Sequence, residues 1–411
     1  MPSLAVITFP GNNCEIESLR IAKRNGFSTE LIKWNELEKV GNADVYFLPG
    51  GFSFEDRGRS GSIAAREKIF KTLRKEAVKG KLILGVCNGA QMVTESGLIP
   101  VKNNPLPVAL AHNLRRDKHG HVLGTGFYNE WIYIKAERTD TAFTYKVDKI
   151  LRMPIAHGEG RFSSIDTLSQ KALKSGDNVA FRYCDKEGNV SDKFPITPNG
   201  ALHATAAITN QEGTICAIMP HPERFFDTFD GDQIFASMYQ WILDKKSPNN
   251  IKIGDFSLLE KPEIKTFEPT DKAIYLEKKL IITDNENFSI KSAIENLLGQ
   301  NISLEKSVLF EVLGENLDQK KLEETNLFFN PNKEFLVEKI TSSTLSKFMT
   351  KDFQNDEADH LAQQLSTLFG KKITVNIYKS WDFGDTSQDL IATVLQNRIL
   401  CNPNSSELFK V

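Results

Sequence analysis

Residues 1–245 of this 411-residue sequence predict an α/β fold with a mostly parallel sheet and helices on both faces, and residues 271–411 predict a smaller α+β region. Three observations carry that reading. Over the first 120 residues, short apolar runs alternate with helical patterns, the signature of strands joined by crossover helices. Two of those runs, "YFLPGG" and "LILGVCNG", end in glycine-rich turns, where ligands bind in open parallel sheets. Beyond residue 270 the pattern changes to a β-α-β-α-β order that occurs twice.

The elements follow in order. "LAVITFPG" reads as a strand and "CEIESLRIAKRNG" as a helix closed by Gly26. "STELIKW" and "ADVYFLPGG" are strands, "IAAREKIFKTLRKEAVKGK" is a long amphipathic helix, and "LILGVCNG" is a strand meeting a helix. From 121 to 220 the strands are less regular, with hairpin signals at "DKEGN" and "TNQEGT". "GTICAIMP" is a further strand that ends at "HPERFF", and "GDQIFASMYQWILDKKS" closes the domain as a helix. Residues 246–270, rich in Pro, Asn and charge, read as a linker.

Composition narrows the function classes. Hydrophobic residues make up 40% and charged residues 25%, typical of a soluble globular chain. A formal net charge of -2 gives no sign of a nucleic-acid or membrane partner, and no apolar run has the length of a membrane span. The N-terminal "MPSLAVITFPG" enters a strand directly, without the basic region and cleavage site of a signal peptide. The five cysteines, at 14, 87, 184, 216 and 401, show no metal-ligand spacing. An odd, dispersed set fits a reducing cytoplasm, with no metal expected and any functional cysteine acting as a nucleophile.

Gly85-x-Cys87-x-Gly89 has the form of a nucleophile elbow, in which small residues on either side let a strand turn sharply into a helix. The helix N-terminus offers amide donors and favours a thiolate. By itself the pattern fits a buried cysteine at a turn equally well. His221, in "MPHPER", follows a strand and should reach the same sheet edge, with Glu223 two residues on as a partner for the imidazole. Gly50 and Gly51 end the neighbouring strand, where an amide without a side chain can approach an oxyanion.

Taken together, Pro-Gly-Gly, Gly-x-Cys-x-Gly-x-Gln and His-Pro-Glu in this order resemble the class I (triad-type, flavodoxin-like) glutamine amidotransferases. "FPGNNCE", "PGGFSFEDRGRSGSIA", "GVCNGAQMVTESGLIP", "PIAHGEGRF" and "MPHPERFF" resemble, more narrowly, the PurQ family of glutaminase subunits of phosphoribosylformylglycinamidine synthase. The resemblance spans residues 1–245. It implies Cys87 as nucleophile, His221 as general base and acid, and Glu223 as its orienting partner. It implies an oxyanion hole from the backbone N–H groups of Gly51 and Asn88, and glutamine contacts from Gln91, His157 and Gly158. The ammonia released would pass to a large synthetase subunit of the PurL type in purine biosynthesis. This chain shows no P-loop, so ATP and magnesium are expected on that partner and no cofactor here. One stretch departs from the family, which usually reads "FSYGDYLRxG" after Pro-Gly-Gly. Asp56, Arg59 and Gly61 match it, whereas Glu55, Arg57 and Gly58 do not.

The two C-terminal units, 271–340 and 341–411, resemble the PurS family of small accessory subunits more loosely. "FFNPNKEFLVEKI" and "LCNPNSSELFKV" look like the end of that fold. A family that works as a dimer bridging glutaminase and synthetase would here be a dimer joined in one chain. Two rival readings compete: a non-catalytic scaffold that docks the synthetase, and another cysteine hydrolase of this fold, such as a γ-glutamyl peptidase. Retention of Cys87, His221 and Glu223 argues against the scaffold, and "AHGEG" with "HPER" against the peptidase.

Overall fold

The computed structural model describes residues 1–101, 104–225, 229–255, 259, 261–337 and 346–411. The chain divides into two compact units, Met1–Leu259 and Glu260–Val411. The boundary expected between residues 340 and 341 lies outside the described residues.

In the first unit the strands are β1 (Ser3–Thr8), β2 (Ser28–Lys33), β3 (Val45–Leu48), β4 (Leu82–Val86), β5 (Ala109–His112), β6 (Leu114–Arg116) and β7 (Val122–Thr125). They continue with β8 (Tyr128–Ala136), β9 (Leu151–His157), β10 (Glu159–Ser163), β11 (Val179–Cys184), β12 (Thr205–Thr209) and β13 (Ile215–Ile218). The helices are α1 (Glu15–Arg24), α2 (Lys68–Val78), α3 (Asn88–Glu95), α4 (Thr167–Ser175) and α5 (Asp232–Leu243).

A nine-stranded sheet runs β2-β1-β3-β4-β13-β12-β11-β8-β9. From β2 to β13 the pairings are parallel, and from β13 to β9 they are antiparallel. The two hairpin signals account for part of the second half, since "TNQEGT" joins β12 to β13 and "DKEGN" makes the turn after β11. β3, β4 and β13 are buried at every residue, as central strands covered on both faces should be. The core continues from these strands into Ile69, Phe70 and Leu73 of α2 and Ile234, Phe235 and Met238 of α5.

The helix expected over 63–81 is shorter. A 3₁₀ turn at Ala64–Arg66 is separated from α2 by Glu67 in an extended conformation. Upstream, Gly61 at φ +75 lies so close to α3 that a Cβ would fall 2.7 Å from the Met92 nitrogen. Residues 246–255, within the stretch read as linker, lie on this unit. Asn250 and Ile251 both donate to the Val78 carbonyl, Arg74 donates to the Gly254 carbonyl at 2.6 Å, and Ile251 is buried.

The second unit holds β14 (Ile264–Thr266), β15 (Ala273–Leu280), α6 (Asn285–Leu298), β16 (Glu305–Leu313), α7 (Gln319–Glu324) and β17 (Glu334–Leu336). It continues with β18 (Lys347–Asp352), α8 (Asp356–Phe369), β19 (Thr374–Asp382), α9 (Gln388–Gln396) and β20 (Ser406–Lys410). The repeat is visible in local chemistry. α6 and α8 are capped by the side chains of Asp284 and Asn355, and each ends at a left-handed glycine, Gly299 or Gly370, 15 residues later (299 − 284 and 370 − 355).

The two repeats share a single sheet, ordered β14-β20-β18-β19-β16-β15-β17. Apart from β14, the order is mirrored about the antiparallel β16–β19 pair. At its middle Leu309 faces Tyr378, and these positions correspond between repeats because β16 and β19 begin 69 residues apart (374 − 305 and 378 − 309). The arrangement is therefore a pseudo-two-fold. One face packs under the helices through Phe310, Val312, Leu361, Leu365 and Val375, and β14 hydrogen-bonds in parallel along β20.

Candidate active site

β4 ends at Cys87, whose backbone sits at φ 51 and ψ −108, a conformation that costs an L-residue strain. The flanking glycines are obligatory at this turn. A Cβ at Gly85 would fall 2.4 Å from the Gly89 carbonyl oxygen, and one at Gly89 would fall 1.9 Å from that of Leu48. Neither neighbour can yield, because both are backbone atoms. The elbow thus holds the thiol at the N-terminus of α3, with Asn88 as the first helical residue and its N–H free of intrahelical bonding.

Gly50 locks three groups together. A Cβ there would lie 2.9 Å from His221 Cε1, 3.0 Å from Cys14 Sγ and 3.4 Å from Cys87 Cβ. Gly51, at φ +140, forms a bridge with Asn12 whose hydrogen bonds come from Asn13 and Phe52, so its own N–H stays outside that bridge. His221 is 1% exposed and its Nδ1 lies 2.6 Å from Glu223 Oε1. With Nδ1–H donated to the carboxylate, Nε2 is the basic nitrogen, and it has no hydrogen-bond partner among the described residues. Burial pulls the imidazole pKa down, but Glu223 and then Cys87 outweigh it and hold His221 well above the ordinary histidine value.

Residues 1–247 match the family model described as a CobB/CobQ-like glutamine amidotransferase domain. The phosphoribosylformylglycinamidine synthase subunit PurQ of Methanothrix thermoacetophila is 36% identical over 262 residues, covering 59% of this chain and 99% of that protein. The chain belongs to the PurQ family of glutamine amidotransferases. The subunit of the same name from Saccharolobus solfataricus is 39% identical over 222 residues, covering 54% of this chain and 88% of that protein. A chain in the structure of PurLQS from Thermotoga maritima is 32% identical, with a TM-score of 0.47, and covers 59% of this chain and 99% of that one.

The other residues singled out in the sequence lie around the elbow. Gln91 is buried one turn along α3; its Nε2 donates to the Glu159 carbonyl at 2.7 Å and its Oε1 accepts from Asn88 Nδ2 at 2.8 Å. The Gln91 side chain therefore ties α3 to β10. His157 and Gly158 lie where β9 turns into β10, next to Ala156, whose carbonyl is 3.6 Å from Cys87 Sγ. A Cβ at Gly158 would meet only ordinary contacts.

The stretch that departs from the family also has an unusual backbone. Phe54, Glu55 and Asp56 all have positive φ, and Asp56 Oδ1 accepts from Asn88 Nδ2 at 3.0 Å. Burial, then repulsion from Glu159, raises the Asp56 carboxyl to about 7. Arg57 pairs with Glu55 at the surface, whereas Arg59 grips buried Glu95 through two hydrogen bonds of 2.6 and 3.0 Å.

Sequence reasoning overlooked three contributors. Cys14 Sγ, His221 and Glu223 offer ligand atoms within 4.8 Å of one another, the spacing of a metal trio. The Arg224 guanidinium donates to Cys14 Sγ at 3.1 Å, a contact that disfavours a cation there, and burial raises the Cys14 pKa, keeping it a thiol. Arg224 also bonds Glu17 at 2.7 Å and so fastens the His-Pro-Glu turn to α1. Asn113 is fully buried against His157. "FPGNNCE" and "HPER" contained the first two, but nothing in the sequence joined them. Asn113 lies 44 residues from the histidine it contacts and carried no signal.

Proposed function

We propose that this chain is the glutaminase component of phosphoribosylformylglycinamidine synthase. It hydrolyses glutamine and supplies ammonia to a PurL-type synthetase that converts formylglycinamide ribonucleotide to formylglycinamidine ribonucleotide in purine biosynthesis. The observation that carries the reading is the convergence of Cys87, His221–Glu223 and the Gly50–Gly51 strand end at one elbow, in a chain of the PurQ family.

Cys87, deprotonated by His221, attacks the side-chain amide carbon of glutamine. The oxyanion settles between the N–H groups of Gly51 and Asn88. The proton held on His221 moves to the departing nitrogen as the C–N bond breaks, leaving a γ-glutamyl thioester on Cys87. Water, relieved of a proton by the same imidazole, releases glutamate. Glu223 keeps the imidazole in the tautomer that presents Nε2 and stabilises its cation. Gln91, His157 and Gly158 frame the glutamine pocket. ATP and magnesium act on the synthetase.

The second unit fits a PurS-like dimer made from one chain. Its support is the mirrored strand order about the Leu309–Tyr378 pair, since a two-fold of this kind is how two copies of a β-α-β-α-β unit share a sheet. The proposed site of action is the cytoplasm, and no described helix is long and apolar enough to cross a membrane.

The test pairs two nitrogen sources. In a complex with the synthetase, Cys87→Ala should abolish glutamine-dependent synthesis and leave synthesis from ammonium salt intact. Loss of both by a folded variant contradicts the assigned role.

A further inference from the structure

Two thiols flank His221, and the mechanism above uses one of them. Cys14 is the N-cap residue of α1 and is 1% exposed. Its loop is pinned to the strand end beside the elbow, where the Asn13 N–H and the Asn12 side-chain amide both donate to the Gly50 carbonyl, at 3.4 and 3.3 Å. The point where a Gly50 Cβ would stand is 3.0 Å from Cys14 Sγ and 3.4 Å from Cys87 Cβ. Cys14 Sγ and Cys87 Cβ are therefore at most 6.4 Å apart (3.0 and 3.4 Å to a shared point), and the bare Cα of Gly50 faces the space between them. His221 Cε1, 2.9 Å from the same point, borders that space as well. The other cysteines are placed differently: Cys216 pairs with Leu84 in the body of β4, Cys184 is the last residue of β11, and Cys401 belongs to the second unit.

The surroundings divide the pair into an attacking and a resolving thiol. Cys87 sits at a helix N-terminus beside a histidine, which favours the thiolate. Burial holds Cys14 as a thiol at rest, while His221 and then Arg224, whose guanidinium lies 3.1 Å from the sulfur, pull the other way. A second cysteine that stays protonated until a neighbouring base takes its proton is suited to resolve an oxidised partner. Glutamine hydrolysis calls on Cys14 at no step.

We propose that Cys14 and Cys87 form a reversible disulfide when a peroxide reaches the elbow, which switches the site off and spares Cys87 from irreversible oxidation. The Cys87 thiolate attacks one oxygen of hydrogen peroxide. An S–O bond forms, the O–O bond breaks, and the departing hydroxide takes the His221 proton as water. Cys87 is then a sulfenic acid. Cys14, its proton passed to His221, attacks the Cys87 sulfur as both side chains turn into the space beside Gly50. The S–S bond forms, the S–O bond breaks, and hydroxide again leaves as water with the proton from His221. In sum, two thiols give up two electrons and two protons, and one peroxide becomes two waters. A dithiol restores both thiols by exchange. The switch needs only a reactive Cys87 beside His221, whichever amide that thiol attacks.

The experiment treats the full chain, in complex with its synthetase, with hydrogen peroxide, caps the remaining thiols with iodoacetamide and digests without reductant. Mass spectrometry should find the Cys14 and Cys87 peptides joined, two hydrogens lighter than the separate pair, and dithiothreitol should restore glutamate release. This mass reading needs neither a variant nor turnover, so it stands apart from any failure of the glutaminase reading. In Cys14→Ser the same treatment should carry Cys87 on to the sulfinic acid, which dithiothreitol does not reduce. Recovery, taken relative to that variant's own untreated rate, should then be at least about 5-fold lower than in the parent. Resistance to peroxide, an inactivated complex without the joined peptide, or a Cys14→Ser variant that recovers as fully as the parent overturns the proposal.

Discussion

Replacing Cys87 by glycine should leave the protein more stable than replacing it by alanine, although both changes remove the nucleophile. At φ 51 and ψ −108 the backbone of residue 87 is outside the regions an L-residue prefers, a strain of about 1–3 kcal/mol that glycine relieves. Glycine gives back about 0.4–1 kcal/mol because its unfolded chain is more flexible. Loss of the Cβ, which packs at Gly50, removes a few tenths more. Roughly 1 kcal/mol should remain in favour of Cys87→Gly over Cys87→Ala. Since the thiol is absent from both, its packing cancels. Urea unfolding followed by tryptophan fluorescence reads the difference as a midpoint about 0.3–1 M higher for the glycine variant, given slopes near 1–3 kcal/mol per M. Three of the four tryptophans, Trp34, Trp131 and Trp241, lie in the first unit and report it. A glycine variant equal to or less stable than the alanine variant would refute the claim that the elbow stores strain.

Other outcomes follow from the same geometry. The Asp56 carboxyl is raised to about 7, above its unfolded value, so its contribution to stability is full below about pH 4 and is lost as pH climbs through 7. Asp56→Asn should therefore flatten the stability profile over that window and gain about 2–4 kcal/mol at pH 8, read from urea curves at several pH values; an unchanged profile would count against the raised carboxyl. Arg59→Met should lower stability by about 1.5–3 kcal/mol, read from urea curves, because it removes two charge-assisted hydrogen bonds from the buried Glu95 carboxylate; a variant as stable as the parent would count against that pair. Deleting 271–411 should weaken complex formation with the synthetase more than it damages glutamate release. Unchanged partner binding, measured by co-purification, would sink the PurS-like reading.

The elbow was legible because its geometry is local. Gly85, Cys87 and Gly89 are two residues apart, and the contacts that demand glycine are the ones a sharp strand-to-helix turn always makes. The strand alternation was legible for the same reason, and in the second unit the caps and closing glycines of α6 and α8 recur at equal spacing. Long-range pairing left less trace. Nothing in the repeat announced that both copies would share one sheet through β16 and β19, since strand pairing depends on edges that sequence periodicity does not specify. Residues 246–255 read as linker from their polar composition, yet their backbone groups find partners on Val78 and Gly97. Asn113 was invisible because a buried asparagine acts through the orientation of its amide, which only its distant partners fix.

The central claim is that Cys87 carries the γ-glutamyl group of glutamine. Acid quenching of the complex during turnover, followed by mass spectrometry of its peptides, measures this directly. The account predicts one γ-glutamyl group on the peptide containing Cys87, absent from Cys87→Ala. A γ-glutamyl adduct on Cys14, or steady glutamate release with no adduct on any cysteine, would contradict it.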